Sequence, residues 1–214
     1  MYNIYGKFNY SVREHNMSNK KKSFLSYSAI AMALLVILAG VVLGQSSSNA
    51  TPAMKFRLVV ESPGGESSSF AGAVLNDYLR LKGSVAGIET AMIKAGDGEI
   101  YILTPAIRTA RKLENPDVPD SESADWSEWL IEPARVNPFT FAGLIGKDSK
   151  IDGQVRFGAG NRIDSRFSDG VLQTLSFPSP SGDGTIKYTY SDFVEDAELK
   201  RSDFDIPEGF IVTE

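Results

Sequence analysis

Apolar and polar residues alternate with a period of two along most of the chain beyond residue 53, most clearly in the last third. Three such runs follow one another there: Arg162–Ser168, Val171–Phe177 and Thr185–Phe193. Asp169-Gly170 separates the first two, and the loop PSPSGDG (178–184) separates the second from the third. Asp-Gly between alternating runs is a strong hairpin signal, because the favoured two-residue turn needs positive φ at both central positions. Successive strand side chains point to opposite faces, so Ile186, Tyr188 and Tyr190 share one face while Lys187, Thr189 and Ser191 share the other. The pattern predicts a meander of antiparallel strands with one wet face and one face that must be covered.

Earlier segments extend the same pattern. Met54–Glu61 places Met54, Phe56, Leu58 and Val60 on one face and Lys55 and Arg57 on the other, and Ser62–Ser69 reads as a long turn. Ala73–Lys82 reads as one alternating strand, with Asp77 left unexplained beside Leu75, Leu79 and Leu81. Ile88–Lys94 and Glu99–Leu103 flank Ala95-Gly96-Asp97-Gly98, a second Asp-Gly turn, and Thr104-Pro105-Ala106 leads into a strand over Ile107–Leu113. Glu114–Asp125 is acidic and Pro-bearing, a loop. Periodicity then changes. From Ser123, SADWSEWLIEPAR predicts a short helix with a Ser or Asp cap, ended by Pro133, with Trp126, Trp129 and Leu130 at i, i+3, i+4. Asn137-Pro138 opens a second helical piece over Phe139–Lys147, with Phe139, Phe141, Leu144 and Ile145 apolar and Gly143 and Gly146 weakening it. Residues 126–147 are thus the helical insertion in a chain that is otherwise β.

Ahead of this domain, Phe24–Leu43 is a run of about twenty mostly apolar residues preceded by Lys20–Lys22. Positive charge stays cytoplasmic, which sends the following domain outward. Two readings stay open. The run is long enough to remain as a transmembrane anchor, and Ser48-Asn49-Ala50 after it also suits a cleaved signal. The expected organisation is 1–23, a cytoplasmic extension or residues upstream of a start at Met17; 24–44, anchor or signal core; 45–53, a Ser-rich linker; and 54–214, the extracytoplasmic β domain. Localisation is expected to be single-pass membrane-anchored with that domain outside, or periplasmic or secreted if the signal is cleaved.

Charge and composition narrow the functions. Residues 1–50 carry five basic residues and one acid, leaving 17 basic and 26 acidic residues of the chain's 22 and 27, a net of −9. That balance opposes a nucleic-acid partner, whose phosphates call for basic groups. The chain has no cysteine, so disulfides, a thiolate nucleophile and a lipid-modified cysteine are excluded. The one histidine, His15, precedes the apolar run, which removes a Ser-His-Asp triad and histidine-bearing metal sites from the domain. Glu114, Asp117, Asp120, Glu122 and Asp125 lack the spacing of a calcium loop and read as solvated. Arg108 and Lys112 fall on one strand face and Arg111 on the other, so they form no single patch for a lipid headgroup. Gly158-Ala159-Gly160-Asn161 precedes a strand rather than a helix, which removes a phosphate cradle. No enzyme, cofactor or metal site is expected.

Two stretches resemble a known family. The succession of RIDSRFS, GVLQTLSF, TIKYTYSDF and a closing FDIPEGFIV is similar to the C-terminal half of LolA-type proteins, at Tyr190, Phe193, Phe204, Pro207, Gly209 and Val212. DGEIYILTPAIRTARKL resembles a hairpin of the same family, in the expected order along the chain. The resemblance implies an extracytoplasmic, open antiparallel half-barrel with a small helical lid, whose hollow takes acyl chains. One departure is that Ser46–Ala53 is too short and polar to supply the family's helix before the first strand. On this reading Phe56, Leu58, Trp126, Trp129, Leu130, Phe139, Phe141, Leu144, Ile145, Tyr188 and Tyr190 line the hollow and its lid, or plug it as core. The expected function is non-catalytic binding of a lipid or a lipoprotein acyl chain, as carrier, chaperone or sensor. The alternative is a membrane-anchored scaffold or regulatory domain with a filled core and an envelope protein as partner.

Overall fold

The computed structural model describes residues 53–114, 116–148, 150–158, 162–195 and 198–214. The chain divides into two compact units, Met1–Asn49 and Ala50–Glu214, and the described residues belong to the second. The readings made for the extension, the apolar run 24–44, the Met17 start and most of the linker lie outside them. No helix among the described residues is long and apolar enough to cross a membrane.

Eleven strands form one open sheet: β1 (Met54–Glu61), β2 (Ser67–Leu75), β3 (Tyr78–Val85), β4 (Ile88–Lys94), β5 (Ile100–Thr104), β6 (Thr109–Leu113), β7 (Gly153–Phe157), β8 (Ile163–Ser168), β9 (Val171–Pro178), β10 (Thr185–Glu195) and β11 (Ile211–Thr213). Their order is β11-β6-β5-β4-β3-β2-β1-β10-β9-β8-β7, antiparallel throughout except that β11 runs parallel to β6. The expected β1, β4, β8, β9 and β10 are present, and Asp169 and Gly170 take φ of 51° and 75° between β8 and β9 as their turn requires. Among the described residues, helical structure is limited to α1 (Ser127–Leu130), α2 (Phe141–Leu144) and three 3-10 turns, η1 (Pro105–Ile107), η2 (Pro133–Arg135) and η3 (Arg201–Phe204).

Several boundaries differ from those expected. The run Ala73–Lys82 is two strands. Leu75 pairs with Tyr78 across a turn at Asn76-Asp77, with Asn76 at φ 54°, so Asp77 is a turn residue and not a polar intruder in a core. The preceding turn is shorter than Ser62–Ser69, since Ser67–Ser69 already pair with β1. Pro105 starts a 3-10 turn and Arg108 sits at φ 50°, which delays β6 to Thr109.

Chain order explains how the sheet is covered. β6 is next to one edge and β7 is the opposite edge, so the connection between them crosses eight strands. It does so over one face, called inner here: η2 touches β3 and β4, and α1 and α2 touch β9. The inner face presents Phe56, Leu58, Leu79, Leu81, Met92 and Ile100, continued by Leu172, Leu175, Phe177 and Tyr188. Over β4–β6 the other face is apolar too, with Ala91, Ile93, Leu103 and Ala110 buried beneath Ile206 and Phe210 of the C-terminal segment. That segment leaves β10 near the middle of the sheet and ends as β11 at the far edge.

Candidate functional site

The inner face is lined by an aromatic layer. Trp126 packs edge-on against Trp129, Phe141 and Phe157, with ring centroids 5.6, 6.3 and 5.5 Å apart. Trp126, Leu58, Leu130, Phe141 and Tyr188 have no exposed surface, and Phe56, Trp129, Ile145 and Tyr190 are also buried. The structure thus brings together ten of the eleven residues singled out in the sequence, with Phe139 half-buried against the layer. Leu144 departs from the expectation. It is 39% exposed, because the short α2 turns Phe141 and Ile145 inward and Leu144 outward.

Polar bonds hold the cover to the sheet. The Tyr188 hydroxyl donates to the Leu130 carbonyl at 2.7 Å and also lies 3.0 Å from that of Ile131. The Tyr190 hydroxyl donates to the Val136 carbonyl at 3.3 Å. Burial pushes the Tyr188 hydroxyl well above its ordinary value, with the neighbouring Tyr190 and Glu132 adding to the effect, and burial alone pushes Tyr190 up. Both therefore remain donors. Arg135, itself buried, spans the cover, donating to the carbonyls of Glu114 at 2.9 Å and Trp129 at 3.1 Å. Ser127 Oγ, Trp129 Nε1 and Arg135 Nε are buried without a hydrogen-bond partner. Each such group carries a desolvation cost of about 1–3 kcal/mol, so this cover is not held at a deep polar minimum. Nor are its helices self-supporting: a single turn does not offset the entropy of its own nucleation.

The layer thins at one end. Phe56, Phe139 and Phe193 form a triangle with centroid separations of 6.3, 6.3 and 5.7 Å, and Phe139 and Phe193 are only half-buried. Phe193 reaches this place through a β-bulge. Between Lys55↔Val194 and Arg57↔Ser191, the pair Asp192-Phe193 opposes Phe56 alone, with Asp192 at φ 55°. The extra residue inverts the side-chain parity of β10, so Phe193 joins Ile186, Tyr188 and Tyr190 on the inner face although its number is odd. Strict alternation places Phe193 outside, which is why it was not among the expected lining residues. Phe157 was missed because β7 was not foreseen.

The remaining charged candidates sit apart from this layer. Lys112 pairs with Glu99 on the outer face, Arg111 is an exposed member of β6, and Arg108 is an exposed turn residue. Glu122 pairs with Lys147 at 2.9 Å, which ties the acidic loop to the end of the cover. Among the described residues no three His, Cys, Asp or Glu side chains gather in a way that could hold a metal ion.

Comparison with protein-family models gives no match, and comparison with curated proteins gives none. Solved structures similar to this chain include an uncharacterized conserved protein from Thermus thermophilus, with TM-score 0.46 and 11% identity over 82% of this chain and 98% of that one. A DUF1329 family protein from Desulfovibrio piger follows, with TM-score 0.40 and 13% identity over 74% and 91%. A LolA superfamily protein from Nitrosomonas europaea, of the family that the sequence resembles, overlaps with TM-score 0.33 and 11% identity over 72% and 90%. With TM-scores below 0.5 these overlaps carry no functional argument.

Proposed function

We propose that this domain is a non-catalytic, extracytoplasmic binding domain that takes a lipid or lipoprotein acyl chain between the inner face of the sheet and the 121–148 cover. The observation that carries the reading is the aromatic triangle Phe56–Phe139–Phe193, half-buried at Phe139 and Phe193, the point where a bulge turns an extra aromatic toward the thinnest part of the cover. Magnitudes favour access there, with the cover loosening over residues 130–139 while the tryptophans stay packed on the sheet, over wholesale lifting. Burying an aromatic side chain is worth about 4–6 kcal/mol at ~25 cal/mol per Å². Exposing Trp126, Trp129 and Phe141 together would therefore cost about as much as the entire stability of a domain, roughly 5–15 kcal/mol. Parting Phe139 from Phe193 exposes much less. An acyl chain sliding in behind them replaces lost contacts with equivalent ones, so the aromatic layer is exchanged instead of being opened to water. On this reading the sheet and cover form the half-barrel and lid implied by the sequence resemblance, and segment 24–44 anchors or exports the domain.

Native mass spectrometry of the protein purified from a cell envelope, with lipid extraction of the same sample, tests the reading. Co-purifying lipid that is lost in Phe193→Ala, in a domain of unchanged circular dichroism, is the expected result. A ligand-free mass that persists after incubation with phospholipid and lipopeptide would remove the acyl-chain reading.

A second reading has its own support: the inner layer is already filled by side chains, and Ile107, Ile211 and Val212 stand 54–68% exposed near the β11 edge. In a scaffold or regulatory domain, this edge would add a strand from an envelope protein. Cross-linking from Val212 to one defined protein, with no lipid bound, would favour it.

A further inference from the structure

A cavity of about 620 Å³ lies on the outer face, between β3–β5 and the C-terminal segment. Its floor is Ala91, Ile93 and Leu103, and its roof is Ile206, Pro207 and Phe210. The roof is an arch fixed at both ends. At one end Phe204 is buried, with its ring 5.9 Å from that of Tyr78, and Arg80 donates to the Asp203 carbonyl while its guanidinium lies 5.7 Å from the Phe204 ring. At the other, the Ile211 amide donates to the Arg108 carbonyl at 2.8 Å and β11 joins β6. Between these points Pro207-Glu208-Gly209-Phe210 makes a turn, with Gly209 at φ 81° where a type II turn needs a positive value. Cavities of roughly 300–1,000 Å³ with apolar walls and a few polar groups are the usual size and character of small-molecule sites.

The charge of the mouth selects the ligand. Glu89, Asp203, Asp205 and Glu208 face two cations, Arg80 and Lys82, for a net of −2. Arg80 is already engaged by Asp203 and Phe204, and Glu89, Asp205 and Glu208 form no ion pair among the described residues. An apolar floor beneath a mouth with unpaired carboxylates suits a molecule with an apolar tail and a cationic head. We infer that the outer-face cavity is a second binding site, distinct from the aromatic layer, for a small cationic amphiphile bearing an ammonium group.

Titration of the protein with decyltrimethylammonium below its micelle concentration, followed by methyl NMR, tests this, with decyl sulfate and an uncharged decyl glycoside as controls. The expected result is saturable shifts at Ile93, Leu103 and Ile206 for the ammonium ligand, with at least about tenfold weaker binding of the sulfate, as mouth charges of this number and exposure allow. Asp205→Lys with Glu208→Lys reverses the mouth from −2 to +2 at two exposed positions and should invert the preference. Both tryptophans of the chain lie in the inner layer, so their indole signals report binding there and separate the two sites. Equal affinity for the two charged ligands, an unchanged preference in the reversed variant, or shifts confined to the indoles would each overturn the inference.

Discussion

Tyr188→Phe separates the stability of the cover from its function. The hydroxyl is fully buried and serves two carbonyls of the cover, Leu130 at 2.7 Å and Ile131 at 3.0 Å. Its one proton makes one strong bond, and its removal leaves at least one buried carbonyl without this donor, at a cost of about 1–2 kcal/mol. The ring remains, so its edge-on contact with Phe177 at 5.4 Å is kept and no cavity forms. The lost bond exists only while the cover is closed. The open population therefore rises by about 5–30-fold, and the apparent affinity for an acyl chain rises by the same factor while the open form remains the minor one. Urea denaturation should show a loss of about 1–2 kcal/mol, and amide exchange should accelerate through 127–136 more than in β9. Titration with a fluorescent fatty acid should show tighter binding by the less stable protein. Tyr190→Phe, which loses a longer bond of 3.3 Å, should show the same signs at smaller size. A destabilised Tyr188→Phe variant with unchanged or weaker acyl-chain affinity would refute displacement of the cover as the route of binding.

Other outcomes follow from the same contacts. Because Tyr188 and Tyr190 hold their protons more tightly when folded, stability should fall as pH rises above the unfolded value of 10, by up to about 1.4 kcal/mol per pH unit for each. Urea midpoints between about pH 9 and 11 should lose that part of the slope in Tyr188→Phe/Tyr190→Phe, and identical slopes would contradict it. Burial raises Glu132 despite the opposing charges of Arg135 and Arg111, so its folded form favours the proton and its contribution is most favourable in acid. Glu132→Gln should therefore stabilise the protein at about pH 7 and lose that advantage below its unfolded value of about 4.5; an advantage equal at pH 7 and pH 4 would count against the argument. At Gly72, a β-carbon would meet the Phe56 ring at 2.3 Å, so Gly72→Ala should cost about 1–3 kcal/mol by overpacking, partly recovered by Phe56→Leu. Thermal denaturation of the four proteins in that cycle measures the coupling.

Much of the sheet was legible because strands with one wet face write their orientation into the sequence. Phe56 and Leu58 beside Lys55 and Arg57, or Tyr188 and Tyr190 beside Lys187 and Thr189, fix both element and face. The features that escaped are those that break this parity or mimic it. Asn76-Asp77 turns the chain with Asp77 the one break in the alternation of Leu75, Leu79 and Leu81, so two strands read as one, although across the turn it is Val74 that shares the face of Leu79. Asp192 inserts a residue and re-aims Phe193, which a binary pattern cannot register. In β7, Gly153-Gln154-Val155-Arg156-Phe157 has one buried residue, and an edge strand with so little apolar content leaves little trace. A signal for the outer-face core was present. Ala91-Met92-Ile93 and Ile100–Leu103 are contiguous apolar runs, and contiguity indicates burial on both faces. That alone could have pointed to a cover on the second side, although not to its being the C-terminal segment.

Trp126 and Trp129 are the chain's two tryptophans and both lie between the sheet and its cover, which makes one measurement especially direct. Their fluorescence should be recorded while the protein is titrated with a phospholipid carrying bromine midway along one acyl chain, and with the same lipid unbrominated. If an acyl chain enters beneath the cover, the brominated lipid quenches saturably and its unbrominated counterpart competes. Binding of the brominated lipid with no quenching of either indole would contradict the account, because the chain would then lie elsewhere on the protein.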